Sequence, residues 1–175
     1  MSLARIVGLA HVLGDDINTD VNCSAKYLPG RDTAYIAQHA FEQVKPNFVT
    51  QFKFGDVIVA GRNFGINSSR EQAIQVMRLL GVSAVVAPSF GRQFFRNAIN
   101  NGLPLIECDT TGIEDKDGID IDFEAGVLTV AERRIRRAMP RLPAAIQTLL
   151  AAGGLIPFLQ QHPDWNVAAV ERTAS

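Results

Sequence analysis

Ser68, Ser69 and Arg70 stand side by side at the end of Gly61-Arg62-Asn63-Phe64-Gly65-Ile66-Asn67, two hydroxyls next to a guanidinium. Upstream, Asp56-Val57-Ile58-Val59-Ala60 is an apolar run of strand length that closes on Gly61. Downstream, Glu71 to Leu80 has helical apolar spacing and stops at Gly81. The hydroxyls and the guanidinium therefore lie where a strand and a glycine-bearing loop deliver the chain into a helix. In α/β proteins such a junction binds anions, because unpaired backbone N–H groups and the positive end of the helix dipole face outward. The predicted ligand is a small carboxylate.

The same residues carry a purely structural reading. Ser68 and Glu71 make a Ser-x-x-Glu capping box, which satisfies donors at a helix start and needs no ligand. That box accounts for two residues only. It leaves Ser69, Arg70 and an Asn/Gly-rich approach that lets another group come close to the backbone. An arginine in the first helical turn also opposes the dipole slightly, a penalty that a negative ligand would reverse. The two readings are compatible, with the cap fixing a geometry that the chemistry uses.

The elements that must position this loop alternate in type. Residues 6–13 read as a strand ended by the polar turn Gly14-Asp15-Asp16-Ile17-Asn18-Thr19-Asp20, and residues 33–44 as a helix broken by Pro46-Asn47. After the central strand, loop and helix come a short buried strand at 84–87, a helix at 90–100, and a strand at 103–106. Strands alternating with helices imply right-handed crossovers and a largely parallel core sheet flanked by helices, an α/β fold. Residues 119–123 and 127–130 predict a β-hairpin region with one wet face, residues 142–150 a further helix, and residues 162–175 a loosely packed tail. No repeat or linker divides residues 1–175, which read as one domain.

Composition narrows the function classes. The chain has 175 residues, 47% hydrophobic and 20% charged, with a formal net charge of −1. A dedicated nucleic-acid binder shows a basic excess that this chain lacks. No apolar stretch approaches the roughly 20 residues needed to cross a bilayer, and the N-terminus has no signal-peptide layout. The expectation is a cytoplasmic protein with neither membrane nor nucleic-acid partner. Cys23 and Cys108 are too few and too isolated for a disulfide framework or a complete metal site, and read as small buried hydrophobes. His11, His39 and His162 lie far apart without ligand or triad spacing and read as structural. The basic run from Arg133 to Arg137, with Arg141, reads as a solvated face or subunit contact. Arg92 and Arg96 can pair with carboxylates or face a partner. Asp16 and Asp20 offer acid–base carboxylates, although Asp beside Asn-Thr more often builds a turn.

Four motifs in order carry a resemblance: Asp16-Ile17-Asn18-Thr19-Asp20, Lys26-Tyr27-Leu28, Phe64-Gly65-Ile66-Asn67-Ser68-Ser69-Arg70-Glu71, and the block Phe90-Gly91-Arg92-Gln93-Phe94-Phe95-Arg96-Asn97-Ala98. They resemble the small subunit, or swivelling domain, of the aconitase superfamily, within it the 3-isopropylmalate dehydratase small-subunit group, over about residues 14–109. The resemblance implies a swivelling-type β/β/α domain that supplies half a site for leucine biosynthesis. A separate large subunit would hold a [4Fe-4S] cluster, and this chain has no set of three cysteines for one. Ser68 or Ser69 would be the base that takes a proton from the carbon next to a carboxylate, Ser69 being the stronger candidate. Arg70 would clamp a substrate carboxylate with its planar fork. Helix-start N–H groups and the guanidinium would stabilise a serine alkoxide, and the partner's iron would hold the leaving hydroxyl. The reaction would be reversible removal of water from a hydroxy-dicarboxylate.

By the same resemblance, Tyr27-Leu28-Pro29-Gly30-Arg31-Asp32 lies on a mobile loop that reads the substrate's side group. Pro29 directly after Leu28 suits an apolar substituent such as isopropyl or methyl, so a dimethylmalate or citramalate dehydratase is an alternative. Arg31, two residues later, leaves a homoaconitate-type substrate open. The chain departs from the family pattern at Ile66-Asn67, where Cys-Gly is usual; Asn tolerates positive φ, and Ile66 adds bulk to the pocket. Gly91 for Ala reads as minor, and Gln72 for His removes no evident catalytic group. An alternative of another class is a non-catalytic module that binds carboxylates or phosphates at the same helix start.

Overall fold

The computed structural model describes residues 3–163, so the sequence-read tail beyond Pro163 lies outside the described residues. Strand β1 is Ile6–Val12, followed by helices α1 (Thr33–Ala37) and α2 (Phe48–Gln51) and strand β2 (Val57–Val59). Then come α3 (Gln72–Leu79), β3 (Ala84–Ala87), α4 (Arg92–Asn100) and β4 (Leu105–Glu107). Strands β5 (Gly118–Asp122), β6 (Val127–Val130) and β7 (Ile135–Ala138) lead to α5 (Ala144–Ala151) and α6 (Leu155–Gln161). The sheet order is β4-β3-β2-β1-β5-β6-β7. β1 to β4 pair in parallel, as the alternation of strand and helix requires, while β5, β6 and β7 continue from β1 as an antiparallel meander.

Strands β2 and β3 are buried along their whole length because both their faces are covered. The period of two sorts their side chains into two cores. Ile58 and Val85 point toward Phe41, Phe48, Phe64, Met77 and Phe94. Val57, Val59 and Val86 join Ile119, Ile121, Leu128 and Val130 from the antiparallel half. In β5 the alternation of buried Ile119 and Ile121 with half-buried Asp120 and Asp122 is the wet-faced hairpin read from sequence.

Four elements differ from the sequence reading, one of them α2, a single turn after Pro46-Asn47 where no helix is read. The helix expected over 33–44 ends at Ala37, and Phe41 takes a left-handed φ of 60°. Its N–H donates to the Asn22 carbonyl at 3.0 Å, and its ring packs against Phe48 and Phe64. Tertiary burial of one aromatic thus overrides a helical apolar spacing. The basic run contains strand β7, held by Arg133 on Asp117 and Glu114 and by Arg137 on Asp109. Helix α6 follows Gly153 and Gly154, both at positive φ, over residues to which the sequence reading assigns no element.

Candidate functional site

Three loops leave the carboxyl ends of β1, β2 and β3 and are tied to one another through the backbone. Gly61 N–H donates to the Gly14 carbonyl at 3.1 Å, and Gly65 N–H to the Ile17 carbonyl at 2.7 Å. Gly91 N–H donates to the Phe64 carbonyl at 2.9 Å. Two glycines are required here. Gly65 sits at φ +79° with the Phe94 ring where a Cβ would be, and a Cβ on Gly91 would overlap the Gly65 carbonyl oxygen. Gly91 is therefore not a neutral replacement for alanine in this chain. Asn67 takes φ 54°, the left-handed conformation that asparagine tolerates and a β-branched residue does not.

This scaffold separates the two serines. Ser68 is 3% exposed; its Oγ accepts the Thr19 N–H at 2.8 Å and donates to the Ile66 carbonyl at 3.3 Å. Both its roles are therefore in binding the loop together. Ser69 is exposed, and its hydroxyl donates to Asp20 Oδ2 at 3.1 Å. The Ser69 and Arg70 backbone N–H groups both donate to Asp20 Oδ1, each at 3.1 Å. From α4, the Asn97 side-chain amide donates to the Ser69 carbonyl at 3.2 Å, joining the Phe-Phe-Arg-Asn block to the Ser-Ser-Arg loop.

These contacts correct two expectations. The Ser68–Glu71 capping box does not form: Glu71 is itself in helical conformation and makes no side-chain cap. Nor is the backbone of the approach open: the Ser69 and Arg70 N–H groups, just before α3, are taken by the Asp20 carboxylate, 3% exposed and some fifty residues away in sequence. Asp20 thus ties down the loop immediately before α3 rather than capping the helix itself. It is the site residue that sequence spacing placed in a turn, and the turn is real: Asn18 accepts the Asp20 N–H at 3.0 Å. The available signal was a lone acid three loops from the serines in no fixed register.

Arg70 is exposed and has no carboxylate partner among the described residues. Tyr27 donates its hydroxyl to Glu42, which raises the tyrosine pKa and lowers that of the glutamate. Leu28 packs against the core, and Pro29 is exposed near the turn that Gly30 makes at φ +74°. The Arg31 guanidinium lies over the Tyr35 ring, 4.7 Å from its centroid, and is engaged within its own segment. Neither tyrosine nor arginine is therefore poised as a free polar arm.

Among the described residues no group of three His, Cys, Asp or Glu could hold a metal ion. Cys23 is buried and its thiol pushed well up by burial; Cys108 is pushed up to about 11 by burial and by Asp109. Two isolated, protonated thiols do not fit as ligands of an iron–sulfur cluster. No helix among the described residues is long and apolar enough to cross a membrane.

A four-stranded parallel sheet extended by an antiparallel meander, with a serine–arginine loop at its carboxyl edge, defines the class. The family model for the aconitase C-terminal domain matches residues 25–110. The 3-isopropylmalate dehydratase small subunit of Pyrobaculum neutrophilum is 47% identical over 161 residues, covering 89% of this chain and 97% of that protein. The corresponding small subunit of Caldicellulosiruptor saccharolyticus is 44% identical, covering 87% and 90%. A crystal structure of 3-isopropylmalate dehydratase from Methanocaldococcus jannaschii superimposes with a TM-score of 0.84 at 36% identity, covering 98% of this chain and 100% of the other. The chain belongs to the family of 3-isopropylmalate dehydratase small subunits.

Proposed function

We propose that this chain is the small subunit of a cytoplasmic hydro-lyase that dehydrates and rehydrates an alkyl-substituted malate, isopropylmalate first among them. The observation that carries the reading is Ser69, exposed, with its hydroxyl on the buried Asp20 carboxylate and Arg70 beside it. A free serine alkoxide next to that carboxylate would meet like charge at hydrogen-bond distance, so a relay is favoured over a standing alkoxide. Ser69 Oγ takes the proton from the carbon next to the substrate carboxylate as its own proton passes to Asp20 Oδ2. The electron pair of the broken C–H bond forms the double bond, and the hydroxyl leaves from the adjacent carbon. Arg70 holds the carboxylate, and its charge opposes the negative charge that builds on it. A [4Fe-4S] cluster carried by a large partner subunit supplies the Lewis-acid hold on the hydroxyl, since this chain's cysteines do not fit as its ligands. Pro29 on the loop and an Arg31 engaged by Tyr35 favour an apolar side group on the substrate over a third carboxylate.

The second reading is an anion-binding module at the same helix start; Asp20 already takes the Ser69 and Arg70 N–H groups just before α3, which favours the hydro-lyase reading over it. The test is anaerobic co-expression with a large subunit of the same enzyme class, followed by ultraviolet detection of the unsaturated acid. Isopropylmalate, citramalate, dimethylmalate and homocitrate are offered in turn. Ser69→Ala is expected to lose on the order of 10³-fold in kcat and Asp20→Asn about 10²-fold, with Arg70→Lys acting mainly on KM. A cluster-loaded assembly that turns over none of the four acids overturns the dehydratase reading. Ser69→Ala within tenfold of the parent overturns the relay.

A further inference from the structure

The side chain of Gln72, the first residue of α3, bridges the two ends of the segment that carries Tyr27, Leu28, Pro29 and Arg31. Its Oε1 accepts the Ala25 N–H at 2.7 Å, and its Nε2 donates to Thr33 Oγ1 at 3.3 Å. Ala25 is the residue before the segment leaves and Thr33 the residue at which it returns as α1. Between them Tyr27 reaches Glu42, Leu28 packs on the core and Arg31 lies over Tyr35, but the backbone N–H groups of the segment bond only locally. Tyr27 N–H and Leu28 N–H turn back to the Ser24 carbonyl at 2.9 and 3.2 Å, and Arg31 N–H reaches the Leu28 carbonyl at 3.3 Å. Asp32 accepts the Tyr35 N–H at 2.8 Å and so caps the returning helix rather than anchoring the loop. Lys26, Pro29, Gly30, Arg31 and Asp32 are all exposed.

One planar amide uses its opposite ends on opposite stems, acceptor on the outgoing strand of the loop and donor on the incoming one. The residue that bears it stands three positions after Ser69 and two after Arg70. The stems of the loop are therefore referenced to the same helix start as the serine and the arginine. We propose that Gln72 is a positioning residue that sets residues 26–32 in register with Ser69 and Arg70, and through that register governs which substrate side group is accepted. The specificity half of this proposal rests on reading residues 26–32 as the segment that meets the side group; the anchoring half does not.

The test therefore has two arms. In the first, amide hydrogen exchange is followed on the isolated chain for peptides covering residues 24–34, with strand β3 as internal reference. Gln72→Met keeps the length of the side chain and removes both bonds. It is expected to speed exchange at Ala25 and across the segment at least tenfold while β3 is unchanged. Gln72→Glu keeps both bonds, because its carboxylate accepts from the Ala25 N–H and from the Thr33 hydroxyl, and is expected to restore parental exchange. Thr33→Val is expected to loosen residues 30–34 alone. Unchanged exchange in Gln72→Met, or a Gln72→Glu as loose as Gln72→Met, overturns the anchor.

In the second arm the assembled enzyme is assayed on isopropylmalate and on malates with smaller and larger alkyl groups. Gln72→Met is expected to raise KM for the preferred acid about tenfold, with kcat within a factor of three and discrimination among the alkyl groups flattened; Gln72→Glu is expected to recover both. A loss of kcat with discrimination intact overturns the specificity role. A parental assembly inactive on every acid overturns the proposed function and the specificity role together, and the exchange measurement still decides the anchor.

Discussion

Cys108 is half-buried beside Asp109, and burial with that carboxylate pushes its thiol up to about 11; Cys23 is fully buried and pushed higher than the ordinary thiol range. Both are protonated at neutral pH, and only a thiolate is a good nucleophile. Iodoacetamide at neutral pH is expected to leave both cysteines unmodified in the folded chain and to alkylate both in urea, read by intact mass. Rapid native alkylation of Cys108 would overturn that assignment. The same residue-scale physics explains what could be read in advance. Ser69 and Arg70 stand out as candidates because contiguous residues with chemistry are conspicuous at a strand–helix junction. Asp20 is named beside Asp16 as a candidate carboxylate or turn former, but its contact with the serine loop spans fifty positions and no local spacing encodes it. Gln72 was passed over for a related reason: an amide has no chemistry of its own and matters only through the two stems it joins.

At the scale of elements, close backbone approach decides what the loops tolerate. Gly91→Ala is expected to destabilise the chain by about 2 kcal/mol, because the new methyl needs the Gly65 carbonyl and its loop to move. Gly14→Ala, with no atom within 4 Å of the new methyl, is the matched control and is expected to change stability little. Urea midpoints with unchanged m-values check both. Equal effects of the two substitutions would show that the Gly65–Gly91 contact is slack. Elements whose apolar pattern matches their burial were legible: β1, β3, α3, α4 and the β5–β6 hairpin stand within a few residues of their sequence-read bounds. The long helix at 33–44 failed because apolar residues three and four apart satisfy the same core whether the backbone between them is helix or successive turns, and Phe41 takes the turn. Strand β7 was hidden under its charge: on this edge strand Arg136 faces solvent, and Arg137, on the half-buried face with Ile135, is engaged by Asp109.

For the molecule as a whole, the two halves of the sheet meet at a buried histidine. His11 is fully buried, with Nε2 2.7 Å from Asp56 Oδ2 and Nδ1 3.2 Å from Lys116 Nζ. Burial lowers its pKa; the Asp56 hydrogen bond opposes the shift, and Lys116 and Lys45 add to it. Asp56 is pushed up by burial but is brought below the ordinary aspartate range by hydrogen bonds from His11 and from the Leu9 and Lys53 N–H groups. The signs agree. A histidine with a lowered folded pKa is protonated first in the unfolded chain, so stability falls with acidification from about pH 6.5. A carboxylate with a lowered folded pKa contributes stability above about pH 4 that is lost as pH falls toward its folded value. Unfolding free energy is therefore expected to drop between pH 7 and 5, by no more than about 1.4 kcal/mol per pH unit for the one proton involved. A flat profile over that range, measured by urea titration, would show that His11 is not held neutral.

The pair formed by Ser69 and Asp20 joins the loop after β2 to the loop after β1, and those strands are neighbours in the sheet through a crossover of more than forty residues. No stretch of the nascent chain can assemble the pair on its own; it comes into being only when the β1–β2 ladder has closed over that long loop. On the proposed relay, activity would in this sense be a certificate of complete folding. A chain caught partway, with its helices formed and its strands unpaired, carries an ordinary serine and an ordinary aspartate, and lacks the juxtaposed pair that the proposed relay needs.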